Sequence, residues 1–312
     1  MTHSAPTHDV CAVGNAIVDV LSPCTPEFLK EKGLEPGSMQ LVDETESATL
    51  YEAMAAGVEA SGGSAGNTVA GIGSLGGRAA YIGKVADDQL GGVFTHDIRA
   101  AGVAFDTPVL TGGAGTGRCL INVTPDGQRT MCTFLGAANQ LAPEDVDLAQ
   151  VADSAIVYLE GYLFDPAPAR AAFEAAAEAA HKAGRKVAIT LSDTFVVARW
   201  RSELLAFLDS STDIVFANEA EACALFETDD VEAATRALAE KVEVVAVTHG
   251  PKGSVLVRGG ERADIAHRVG EEPREKRGDD EDAEDLEGKG LADTVEGGAH
   301  GASPILPGRP VQ

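Results

Sequence analysis

Residues 155–191 read AIVYLEGYLFDPAPARAAFEAAAEAAHKAGRKVAITL, and this stretch decides the fold. Residues 155–159 are a short apolar run of strand length. Residues 167–183 are an alanine-rich helix, and Gly184 stands where a helix end takes up a left-handed residue. Residues 186–191 return to strand. Strand, helix and strand in succession make a βαβ unit, which implies a parallel sheet with helices on its faces.

The alternation continues on both sides. Downstream come a helix at 196–208, a strand at 213–217, helices at 218–226 and 231–241, and a strand at 242–247. A hairpin, SVLVRGGERADI, then turns at Gly259-Gly260. Upstream, an apolar run at 10–20, interrupted by Gly14-Asn15, reads as one opening strand. A short helix ends at Gly33, and a short strand follows at 39–42. Asp43, with Glu46 three residues on, caps a helix expected to run to Gly57. The turn SGGSAGN leads into a helix that stops at Gly76-Gly77, then a strand at 79–85 and a helix ended by Gly102. The segment 118–134 breaks the pattern, because CLINV and TMCTF flank TPDGQR. Asp126-Gly127 between two β-rich runs signals an antiparallel hairpin outside the main sheet. The expectation is a three-layer α/β/α domain, its mostly parallel sheet covered on both faces, with a small β lid.

Composition changes beyond residue 266. Residues 268–312 hold 12 acids and 6 bases, no aromatic residue and no apolar run. Such a segment buries too little apolar surface to offset its ordering entropy, so disorder is expected there. The whole chain of 312 residues carries −25, and an acidic surface repels phosphate backbones, which argues against nucleic acid as partner. The start, MTHSAPTHDV, has neither a basic nor an apolar signal region, and no apolar run approaches bilayer length. The five cysteines are scattered and never form CxxC, so they read as buried thiols in a reducing compartment. A cytoplasmic location is expected, with no membrane partner.

In open α/β sheets ligands gather beyond the carboxyl ends of the strands, and three places there carry suitable side chains. Asn15 and Asp19, four apart in the opening strand, would share one face and suit vicinal sugar hydroxyls; they equally suit a turn asparagine and a strand-end aspartate. Gly62-Gly63-Ser64-Ala65-Gly66-Asn67 opens a helix, where free N–H groups and Asn67 can meet a polar ligand; a plain glycine turn fits the same string. Asn218-Glu219-Ala220-Glu221 and Thr248-His249-Gly250-Pro251-Lys252-Gly253 each follow a strand. Glu221 can organise water around Mg²⁺ and the glycine loop can cover phosphates; an ordinary N-cap and a hairpin turn are the structural counterparts.

Taken in order, GNAIVDV, VEASGGSAGNTVAGIGSLGG, YIGKVADDQLG, TPDGQRTM, ANEAEACALF and VTHGPKGS resemble the ribokinase-like (PfkB) carbohydrate and nucleoside kinases, the adenosine-kinase branch above all. The resemblance covers roughly 9–266. It implies a ribokinase-like fold and transfer of a phosphoryl group from ATP to a hydroxyl of a nucleoside, adenosine first, or of a free sugar, with Mg²⁺ and a monovalent cation such as K⁺. It further implies that Asn15, Asp19, Gly63, Ser64 and Asn67 hold the acceptor, with Arg129 and Phe134 as lid contacts. Asn218, Glu221, Thr248, Gly250 and Gly253 would serve the nucleotide, Glu221 touching the metal through water. The implied division is a kinase domain at 1–267, its lid drawn from 14–63 and 116–135, and an acidic tail at 268–312. Exposed lid strands offer a surface for homodimer pairing.

One family motif is missing. Asp-Thr-x-Gly-Ala-Gly-Asp should follow the last hairpin, with its glycine N–H groups forming an anion hole and its final Asp the catalytic base. The nearest string is Asp293-Thr294-Val295-Glu296-Gly297-Gly298-Ala299, where Glu296 replaces the first glycine and Ala299 the base. Pro304, Pro307 and Pro310 oppose the helix that should follow. The catalytic base is therefore unassigned, and an impaired kinase is expected. The change reads as a frameshifted or otherwise altered C-terminus, and reading the coding DNA in all three frames past codon 266 tests this. A non-catalytic, nucleoside-binding pseudokinase is the alternative.

Overall fold

The computed structural model describes residues 5–266, so the expected tail and the Asp293 string lie outside the described residues. The chain moves between two sheets. β1 (His8–Val13) begins the larger one, then β2 (Ile17–Pro23), β3 (Met39–Leu41) and β4 (Val58–Gly62) begin the smaller. β5 (Ala79–Ile82) and β6 (Val103–Phe105) return to the larger sheet, and β7 (Gly117–Val123) and β8 (Arg129–Phe134) complete the smaller. The rest extend the larger sheet: β9 (Ser154–Glu160), β10 (Lys186–Thr190), β11 (Ile214–Asn218), β12 (Val244–Thr248), β13 (Ser254–Arg258) and β14 (Glu261–Ile265). Its nine strands run β14-β13-β12-β11-β10-β9-β1-β5-β6, parallel except for β13 and β14. The smaller sheet, β3-β8-β7-β2-β4, is mixed. A large, mostly parallel sheet with a small β sheet beside it is the expected α/β class.

The opening run is not one strand. β1 stops at Val13, paired with Ile82 and Leu159, and the chain crosses at residues 14–16 into the other sheet. Asn15 lies in the crossing and Asp19 in β2, so the two do not share the face of a single strand. The hairpin does form: β7 and β8 pair antiparallel around Gly127, whose φ of +81° suits a glycine. The helix capped by Asp43 has the expected reciprocal Asp43–Glu46 hydrogen bonds but ends at Ala53, short of Gly57.

Helices α1 (Pro26–Glu31) and α2 (Glu44–Ala53) lie beside the small sheet. α3 (Ser64–Ser74) and α4 (Gln89–Ala100) cover β1, β5 and β6 on one side. On the opposite side α5 (Leu148–Ala152), α6 (Ala167–Lys182), α7 (Thr194–Ser211), α8 (Glu219–Phe226) and α9 (Val231–Ala239) bury Val13, Val157, Leu159, Ile189, Val215 and Val247. On the first side over β11–β13, Ile214, Val244, Phe216 and Leu256 stay partly exposed among the described residues, so the expectation of two covered faces holds only in part. The described cysteines are all free, with Cys11, Cys119 and Cys132 buried. No described helix is long and apolar enough to cross a membrane.

Candidate active site

The strand order places β1 between β5 and β9, so the chain leaves β1 toward one side and later returns on the other. This is a topological switch point, where a crevice opens beyond the carboxyl ends of the strands. Gly14 and Asn15 sit at that end of β1. Asn15 is 4% exposed, and its Nδ2 donates to Glu160 Oε1 at 3.0 Å. Its Oδ1 is buried and has no partner among the described residues, which leaves an acceptor for a ligand hydroxyl.

Two of the chain's crossings between the sheets meet here. The first is 14–16; the second is Gly62-Gly63, where β4 ends and α3 begins. Gly63 has φ +85°, and a Cβ on it would stand 2.4 Å from the Asn15 carbonyl oxygen. Glycine is required there both by conformation and by space. Ser64 opens α3 on the exposed side, and Asn67 is half-buried one turn further on. The Asp19 carboxylate hangs over Gly62, where a Cβ would fall 2.2 Å from its Cγ. Burial pushes the Asp19 carboxyl up to about 6, with the positive charge of Arg129 pulling the other way.

Pairing registers sort the residues of the smaller sheet by face. Asp19 aligns with Cys119 and Thr133, on the same face as Ile17, Leu21, Ile121, Val123, Met131 and Arg129. Ile17, Cys119, Ile121 and Ala138 form a small apolar cluster there, with Leu21, Val123 and Met131 packed against it. Phe134 aligns with Arg118 and Val18 and lies on the opposite face. The structure therefore brings Arg129, and not Phe134, to the side of Asp19.

The second group gathers at the far end of the same sheet edge. Asn218 and Thr248 are register partners at the carboxyl ends of β11 and β12, and both are exposed. Asn218 caps α8 reciprocally: Glu221 N–H donates to its Oδ1 at 2.8 Å, and its own N and Nδ2 donate to Glu221 at 3.0 and 2.7 Å. Burial raises the Glu221 carboxyl above its usual range. Gly250 and Gly253 both have positive φ, and nothing lies within 4 Å of the place a Cβ would occupy on Gly250, so that backbone is open to approach. Among the described residues no group of three or more His, Cys, Asp or Glu is placed to hold a metal. Glu221, with both oxygens already accepting from Asn218, fits a cation reached through water better than one ligated directly.

Sequence reasoning passed over Glu160. It is 1% exposed at the end of β9, beside Asn15, and burial raises its carboxyl above the usual range. The available signal was an acid closing the otherwise apolar strand SAIVYLE.

The sequence pattern of the pfkB family carbohydrate kinases matches residues 37–271. The chain belongs to this family. Among solved structures, the adenosine kinase from Sinorhizobium meliloti is 53% identical, with a TM-score of 0.79 over 85% of this chain and 81% of that one. A probable sugar kinase from Rhizobium etli is 47% identical at the same TM-score and coverage. The guanosine-inosine kinase of Escherichia coli K12 is 29% identical over 285 residues, 85% of this chain. The chain spans 63% of that relative's length. The pfkB family carries the implication of ATP as phosphoryl donor.

Proposed function

We propose that this pfkB-family chain is the scaffold of a nucleoside kinase, with adenosine as first acceptor and its 5′ hydroxyl as the phosphorylated group. The observation that carries this reading is the 53% identity to an adenosine kinase. The lid supplies a physical reason. A nucleoside has a polar ribose and a flat, largely apolar base, and the Asp19 face pairs one carboxylate with Ile17, Cys119, Ile121 and Met131. A free sugar would leave that apolar surface without a partner.

In this reading Asp19 and the Asn15 Oδ1 would accept from the ribose hydroxyls, and the Asn67 carboxamide would bond them as well. The residues that would hold ATP lie along the edge from Asn218 to Thr248: the backbone of Gly250 and Gly253 would meet its phosphates, and Glu221 would orient water around Mg²⁺. Mg²⁺ would supply charge neutralisation at the phosphates. We also propose that the 312-residue chain transfers phosphate at no more than a trace rate. A positioned general base contributes ~10²–10⁴-fold, and the motif that should carry it is absent from the sequence.

Equilibrium titration of the full chain with adenosine, inosine, guanosine, ribose and fructose tests the acceptor. Adenosine should bind and Asp19→Ala should abolish binding, while Asp293→Ala should change neither binding nor rate. Binding of the sugars without adenosine would overturn the acceptor. Turnover of adenosine at an ordinary kinase rate would overturn the deficit and show that another acid of the chain serves as the base.

A further inference from the structure

We propose that Glu160 is a positioning residue: its carboxylate clasps the two chain crossings at residues 14–16 and 62–65 and so sets how the small sheet, with Asp19, sits over the switch point. Glu160 itself belongs to the large sheet, in register with Thr190 on β10. It accepts from Asn15 N at 3.3 Å and Asn15 Nδ2 at 3.0 Å on the first crossing, and from Ala65 N at 3.0 Å on the second. One buried side chain thus ties both strands that pass between the sheets here.

The packing leaves no slack around it. A Cβ on Gly14 would fall 2.4 Å from Glu160 Oε2 and 2.4 Å from Ala65 Cβ. The Gly63 position is equally closed by the Asn15 carbonyl. All three groups facing the carboxylate are N–H donors, so the clasp needs an acceptor on both oxygens. An ionised carboxylate provides that, and an amide does not, because its NH₂ would oppose a donor. The bond to Nδ2 also turns the Asn15 Oδ1 away from Glu160, where it is buried and has no partner among the described residues. A third crossing, entering β7, is tied separately: the Asp88 carboxylate accepts from Thr116 N at 2.8 Å and Thr116 Oγ1 at 2.6 Å.

The test is hydrogen exchange on the ligand-free full chain, so its outcome is independent of the nucleoside reading. Glu160→Gln should raise amide exchange in the 14–17 and 62–67 peptides together, by roughly tenfold for loss of a charge-assisted hydrogen bond. The 115–118 peptide, held by Asp88, should not change. Glu160→Asp keeps the charge but retracts the oxygens, and should give an intermediate effect. Asn15→Ala removes one bond of the three and should loosen 14–17 while sparing 62–67, which keeps the idea testable if Glu160→Gln does not fold. Unchanged exchange at 14–17 and 62–67 in Glu160→Gln, or an equal rise at 115–118, would overturn the clasp. So would unchanged exchange at 14–17 in Asn15→Ala.

Discussion

The two faces of the large sheet differ more than their sequences do. Along β10, β11 and β12 one set of alternating residues, Val187, Ile189, Val215, Val245 and Val247, is fully buried under α6–α9. The other set includes Ile214 and Val244, both only half-buried, and Phe216, 40% exposed; beside it on β13 Leu256 is 38% exposed. Both faces are apolar, as expected for strands meant to be covered twice. Hydrophobic patterning therefore reports which surfaces a fold is built to bury. It does not report whether the described chain supplies the cover. The Asn218–Thr248 end of the candidate site, proposed for the nucleotide, lies at the rim of the less covered part, whereas the Asn15–Asp19 end, proposed for the acceptor, sits where helices and the two sheets meet.

The sharpest way to break this contrast is to truncate one aromatic on each face. Phe173 is fully buried in α6 against Phe164 and Phe207, and Phe173→Ala should cost about 3–5 kcal/mol in urea unfolding. Phe216→Ala, at a ring 40% exposed but edge-on to Tyr158, should cost clearly less, about 1 kcal/mol. Equal losses would show that the second face is covered in solution, by another copy or another segment.

That contrast also marks what was legible in the sequence. Turn chemistry carried far: Asp126-Gly127, Gly184 with φ +69° and Gly259-Gly260, both at positive φ, fall where their residue types place them. The Asn218–Glu221 pair was readable too, because N-caps have a local code. The crossing at Gly14-Asn15 was not. Period-two alternation cannot tell a strand that continues from one that leaves its sheet, and the partners of Asn15 and Asp19 come from residues far along the chain. Glu160 was hidden for the same reason: its donors are Asn15 and Ala65, set by topology and not by spacing.

A smaller effect distinguishes the closed end around Asp19 by pH. The Asp19 carboxyl is pushed up to about 6 by burial, so its ionised form is disfavoured in the folded state. Above pH 6 the charge lowers stability; as pH falls through about 6 toward the unfolded value near 4 the group protonates and the penalty disappears. Asp19→Asn should therefore melt higher than the parent at pH 8, and the difference should shrink toward zero by pH 4. The same substitution should weaken acceptor binding at pH 8. A melting difference that grows on acidification would mean that Asp19 is stabilised as an anion, and that the acceptor end is less closed than the packing indicates.

The smallest expected difference tests whether exposure alone decides cost along the open row. Asn218 and Thr248 are neighbours in register and both exposed. Asn218, however, reaches into the covered layer, where it satisfies the Glu221 N–H and donates to the Glu221 carboxylate. Asn218→Ala removes an N-cap and should cost about 1 kcal/mol, whereas Thr248→Ala should stay within about 0.5 kcal/mol. Asn218→Ser retains a capping oxygen and should recover most of the loss. If Asn218→Ala and Thr248→Ala cost the same, the capping box contributes little in solution, and the stability of α8 comes from Ala222 and Leu225 packed beneath it. If Asn218→Ser restores stability yet ATP affinity stays low, the Nδ2 group serves the nucleotide as well as the helix, which separates the two roles that a single asparagine at a strand end can hold.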